Sequence, residues 1–133
     1  MCSCVLPWRG AARSWPDEAA NTAGRTIAAL DRLRPALLAA GDRLVWGGDW
    51  NHAMRGREYA GSKAGRVAIQ ELATACRLQV ATAGQPHAID GLLSIDHIAV
   101  PDDARIPSAR RIVAEADGRR LSDHDAYVVE FVA

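Results

Sequence analysis

Apolar and polar positions follow two rhythms along this chain. Ile27, Leu30, Leu33 or Arg34, Leu37 and Leu38 recur at the spacing of one face of an α-helix. Pro16, followed by Asp17 and Glu18, predicts the start of that helix, because proline suits a first turn and carboxylates suit its positive end. Pro35 predicts a kink or a split, and Gly41 a C-terminal cap. Residues 66–78 predict a second helix, with Ile69, Leu72, Cys76 and Val67 on its buried side. The other rhythm is that of short apolar or β-branched runs, which predict strands. They are residues 2–6, closed by Pro7; Leu44-Val45-Trp46; Leu78-Gln79-Val80; Ile95 to Val100, closed by Pro101; Arg110 to Ala116; and Ala126 to Val132.

Strand, helix, strand, helix and then strands is an α/β order, in which helices cover a mostly β layer. A length of 133 residues supports one domain, residues 1–133, with a real core. Hydrophobic residues at 49% and charged residues at 24% fit a soluble globular protein. Sixteen basic residues balance sixteen acidic ones, which removes any long-range pull toward nucleic acid or an anionic membrane. No apolar run approaches the roughly 20 residues of a membrane span, and residues 1–8 lack the basic start of a secretory signal. Cys2, Cys4 and Cys76 form no paired framework, so reduced thiols and a cytoplasmic location are expected. Trp8 and Trp15 are expected to pack against the sheet, and His87 to be an ordinary loop residue.

Candidate chemistry gathers at three strand ends: Gly47-Gly48-Asp49-Trp50-Asn51, Ser94-Ile95-Asp96-His97-Ile98 and Leu121-Ser122-Asp123-His124-Asp125. Gly-Asp-x-Asn is also plain turn chemistry, and Ser-Asp-His a plain cap. Asp96 within an apolar strand is different, because a buried carboxylate without a partner is costly. Together the clusters suit phosphoester hydrolysis. That reaction needs an activated water, charge on the phosphoryl oxygens and help for the leaving oxygen. Asp96 and His124 would form a dyad for proton transfer, Asp49 would orient the water, Asn51 would donate to the phosphate, and Asp123 would bind metal.

Gly48-Asp49-Trp50-Asn51, Ile95-Asp96-His97 and Ser122-Asp123-His124 resemble, in order and spacing, the second-half motifs of the endonuclease/exonuclease/phosphatase superfamily, to which exonuclease III-like and deoxyribonuclease I-like enzymes belong. The resemblance covers nearly the whole chain. It implies half of a four-layer α/β sandwich, a mixed, mostly antiparallel sheet covered by helices. It implies Mg²⁺ or Mn²⁺, with Asp49, Asn51 and Asp123 at the metal, and a phosphoester substrate, nucleic acid first. The superfamily's first half, with its metal-binding Glu, has no counterpart before Asp49. Without that half, three outcomes are expected: a fragment of a longer reading frame, which the strand-like start at Met1 favours, an exposed sheet covered by a second copy, or a chain poorly folded alone. Arg55, Arg57, Lys63 and Arg66 follow the first motif and would meet substrate phosphates, and Tyr59 would stack on a base. Arg119 and Arg120 would reach the site or face water. The alternatives are a phosphatase for small or lipid phosphates, and an inactive fragment or interaction module.

Overall fold

The computed structural model describes residues 1–11 and 21–132. The helix start expected at Pro16, with Asp17 and Glu18, and the packing expected of Trp15 lie outside these residues.

Helix α1 (Thr22–Ala39) begins where the Asn21 side chain accepts the Gly24 N–H at 2.9 Å, satisfying one of the four donors that a helix start leaves open. It ends at Gly41, whose φ of 65° is left-handed. Pro35 does not split it; the helix runs through to Ala39. The buried face also differs from the expectation. Thr26, Ala29, Leu30 and Leu37 turn inward, while Ile27 and Leu38 are exposed. An apolar residue beside the stripe was counted as part of it. Helix α2 (Lys63–Ala75) starts three residues earlier than expected, at a cap where Ser62 Oγ accepts the Gly65 N–H at 3.0 Å. It buries Ile69, Leu72 and Ala73, and leaves Val67 in solvent.

Strands β1 (Cys2–Ser3), β2 (Trp46–Asp49), β3 (Leu78–Val80) and β4 (Asp96–Pro101) form one sheet in the order β1-β2-β4-β3. β1 runs parallel to β2, and β4 antiparallel to both neighbours. Strands β5 (Arg105–Ile112) and β8 (Ala126–Val132) pair antiparallel, and β6 (Glu115–Ala116) pairs with β7 (Arg119–Arg120) in the hairpin between them. β5 starts five residues before its expected position. Pro107 falls where the β5–β8 register is interrupted, between Arg105 and Ser108, a place where a strand tolerates proline.

One core joins both helices to the main sheet. Leu30 and Leu37 of α1 and Ile69 and Leu72 of α2 meet Trp46, Trp50, Leu78 and Ala99. The Trp46 and Trp50 rings lie 4.3 Å apart, a favourable tilted pair. Trp8, by contrast, is at the surface. Gly48 makes the parallel edge possible. Its φ of 134° and the closeness of the Cys4 carbonyl leave no room for a side chain, and β1 continues over it with Cys4 N–H on Gly47 O and Leu6 N–H on Asp49 O. Among the described residues, no helix is long and apolar enough to cross a membrane.

Candidate functional site

Strand register builds the site. The β2–β4 pairing sets Asp49 directly opposite Asp96. Side chains alternate across a strand, so this pair lies on the face away from Trp46 and Ala99, the residues that join the core. Asp49 is the last residue of β2, and the turn begins after it. The turn before β8 then brings in the third member. His124 Nδ1 lies 2.8 Å from Asp96 Oδ2, and ligand atoms of Asp49, Asp96 and His124 all fall within 4.8 Å of one another.

The His124 turn is held by a residue that sequence reasoning passed over. The Asp125 side chain is shut away from solvent between Arg111 and Arg120, and it also accepts the Ala114 N–H at 2.9 Å. Burial raises its pKa, but the Ala114 and Arg120 hydrogen bonds and the two guanidinium charges outweigh that and lower it overall. The partners lie on β5 and β7, 14 and 5 positions away in the chain, and no local pattern in the sequence marks them. Arg119 and Arg120 are both exposed, and Arg120 is anchored by its bond to Asp125.

The electrostatics separate the three groups. Burial raises the Asp49 pKa, the Asn51 N–H pulls it back, and the nearby Asp96 charge pushes it up again, for a net rise. Burial lowers the pKa of His124, but the Asp96 hydrogen bond and the charges of Asp96, Asp49 and Asp123 more than compensate, so it is raised. His97, on the core face, is buried. Desolvation is the main reason its pKa falls to about 4. Its Nε2–H meets the His52 carbonyl at 2.9 Å, and Nδ1 pairs with the Thr82 hydroxyl at 3.2 Å. The first bond ties β4 to the turn after Asp49, the second to the turn after β3.

Several expected site residues are placed differently. Asn51, with a φ of 52°, closes a turn by giving its N–H to Asp49 Oδ1 at 3.0 Å. Its amide nitrogen donates to the Leu6 carbonyl, also at 3.0 Å. This places Asn51 as the clip between β1 and the site, with a donor already engaged. Asp123 is exposed and outside the Asp49–Asp96–His124 group. Arg66 turns into its own loop, bonding the Gly56 carbonyl and Glu58. Arg55, Arg57 and Lys63 are exposed, and none of the four lines a cleft beside the site.

Two clefts open on the cluster. One, of about 210 Å³, is lined by Gly48, Asp49, Asp96, Ile98 and Tyr127. The other, of about 520 Å³, runs past His124 between Tyr59, His87, Ile89 and Arg120. His87, in a loop, lines the larger cleft. Its ring lies 6.5 Å from that of His124 and 5.6 Å from that of Tyr59, edge-on to both.

Among the described residues, the fold and site thus define a mixed α/β protein with two α-helices, several sheets and a two-carboxylate, one-histidine cluster at a sheet rim. No family model matches the chain, and neither the curated proteins nor the solved structures compared with it provide a match.

Proposed function

We propose that this protein hydrolyses a phosphoester with the Asp49–Asp96–His124 cluster, as a phosphodiesterase of endonuclease/exonuclease/phosphatase type. The observation that carries this reading is the 2.8 Å contact of His124 with Asp96, directly across the strand pair from Asp49. Held through Nδ1, the His124 ring keeps Nε2 for proton exchange, and the Asp96 hydrogen bond and the nearby carboxylates outweigh burial and raise its pKa. Asp49, close to a second carboxylate and partly desolvated, holds a proton more readily than an ordinary Asp, which suits a group that orients or deprotonates an attacking water. Anchoring by Asp125 fixes the His124 turn before substrate arrives.

The donors fit a hard divalent cation. Two carboxylates within 4.8 Å of each other repel, and a cation relieves both that repulsion and the raised proton affinity of Asp49. Asp49 and Asp96 would hold Mg²⁺ or Mn²⁺, rather than Asp123. When bound, the ion supplies positive charge to the phosphoryl oxygens. On the same reading, the two helices on one side and the carboxylates on the other make the main sheet half of a four-layer sandwich, whose open face a second sheet or a second copy covers.

The test is hydrolysis of plasmid DNA and bis(p-nitrophenyl) phosphate with Mg²⁺, Mn²⁺ or EDTA. Metal-dependent cleavage that His124→Ala and Asp96→Asn each reduce about 10²- to 10⁴-fold is expected. Equal rates for the parent and both variants would leave the cluster without a part in the reaction.

A further inference from the structure

The larger cleft is lined by His124 and not by Asp49, and the reaction as proposed leaves it unused. Its walls are Tyr59, His87, Ala88, Ile89 and Ile95, with the charged Arg120 and Asp123 beside His124. His87 is prepared for one role there. The Ile89 N–H donates to His87 Nδ1 at 2.9 Å, which makes Nδ1 an acceptor and places the proton of the neutral ring on Nε2. Among the described residues, that Nε2–H has no protein acceptor and is not a buried orphan. It is a free donor on a residue that lines the cleft.

The loop carrying His87 is stiff. The His87 N–H bonds Leu92 O, and the Ser94 N–H bonds Gln85 O. Tyr127 donates to the Pro86 carbonyl at 2.9 Å, and Arg111 donates to the His87 carbonyl. Tyr59 reaches across to the Leu93 carbonyl at 3.0 Å, which sets its ring against His87. A donor held this way from β5, β8 and the Tyr59 loop loses little freedom when it meets an acceptor. Away from Arg120, Asp123 and His124 the wall is apolar, formed by Tyr59, Ala88, Ile89 and Ile95, and an apolar wall beside a fixed donor suits a ring or hydrocarbon arm that carries an oxygen acceptor.

Building on the phosphoester reading, we infer that this cleft seats the ester arm that departs from phosphorus, with His87 donating from Nε2 to the phosphoester. The substrate class is then a phosphodiester with a ring-bearing or apolar arm, in preference to a monoester of a small polar alcohol. In hydrolysis, water adds to phosphorus, the bond from phosphorus to the arm oxygen breaks, and that oxygen leaves with a proton. The arm is next to His124, the group that supplies the proton, so the cleft lies where the geometry needs it.

Three variants test this: His87→Phe keeps the ring and removes the donor, His87→Asn restores an N–H, and Ile89→Asp puts a charge on the apolar wall. With bis(p-nitrophenyl) phosphate, His87→Phe should lower kcat/KM about 10- to 100-fold, the loss of one hydrogen bond to a charged group. His87→Asn should recover most of it. Ile89→Asp should raise KM for the diester about tenfold with kcat nearly unchanged, and leave inhibition by inorganic phosphate, which has no arm, as in the parent. A merely structural role would move phosphate inhibition along with the diester KM. If His124→Ala abolishes cleavage while His87→Phe and Ile89→Asp keep parental constants for the diester, the cleft assignment falls and the reaction stands. If parent and His124→Ala are equally inert, both fall. Should His87→Phe not fold, the Asn and Ile89 variants decide the matter by the same readings.

Discussion

Asp96 serves two neighbours from one side chain position. It faces Asp49 across the strands and holds His124 through Oδ2. Removing its charge should therefore lower the His124 pKa, since the hydrogen bond and charge of Asp96 are what overcome the effect of burial. An NMR titration of His124 in the Asp96→Asn variant should show this downward shift; an unchanged pKa would mean that the pair does not persist in solution. His97 makes the opposite case. Its pKa in the fold, about 4, lies below the ordinary 6.5. The unfolded chain thus takes up a proton between these values while the native chain does not, and stability falls as pH drops through that window. The difference amounts to about 3 kcal/mol at the acid end. Urea unfolding at neutral pH and near pH 5 should show the loss, and His97→Gln, which can still hydrogen-bond but not titrate, should reduce the pH dependence.

At the scale of elements, the parallel β1–β2 edge depends on a single residue without a side chain. Gly48→Ala must distort the strand or push Cys4 away, and should cost roughly 2–4 kcal/mol in thermal or urea unfolding. The same change should weaken activity, because Leu6, held on β2 by the Asp49 carbonyl, also holds the Asn51 amide. On α1, Leu30→Ala should cost about 2–5 kcal/mol, while Leu38→Ala, at an exposed position, should cost under about 0.5 kcal/mol. Equal losses at both positions would contradict the observed helix face.

Across the whole molecule, function and stability oppose each other at the cluster. Asp49 is ionised near Asp96 and partly desolvated, which disfavours the folded state above the ordinary Asp pKa. Asp49→Asn should therefore raise the melting temperature in EDTA by a few degrees, about 1 kcal/mol on this size of domain. Millimolar Mn²⁺ should stabilise the parent by binding the native state alone, and the variant much less. A metal-independent melting temperature in both would count against a cation at Asp49.

The chain's own text determined much of this. Strand β8, both helices, the short β3 and the three strand-end clusters are visible as periodicity and turn chemistry, because those depend on neighbours one to four positions away. Tertiary structure alone decided what depends on register and long-range packing. Nothing local tells that Asp49 faces Asp96, that Asn51 clips β1 while Asp123 stays outside the cluster, or that Arg66 turns to Glu58. His87, an unremarkable loop histidine in sequence, came to lie against His124 because Tyr127, Arg111 and Tyr59 reach its loop from distant segments. Side-chain type and spacing encode which elements form. Which side chains meet is set by the packing that buries the core, and it pairs residues far apart along the chain.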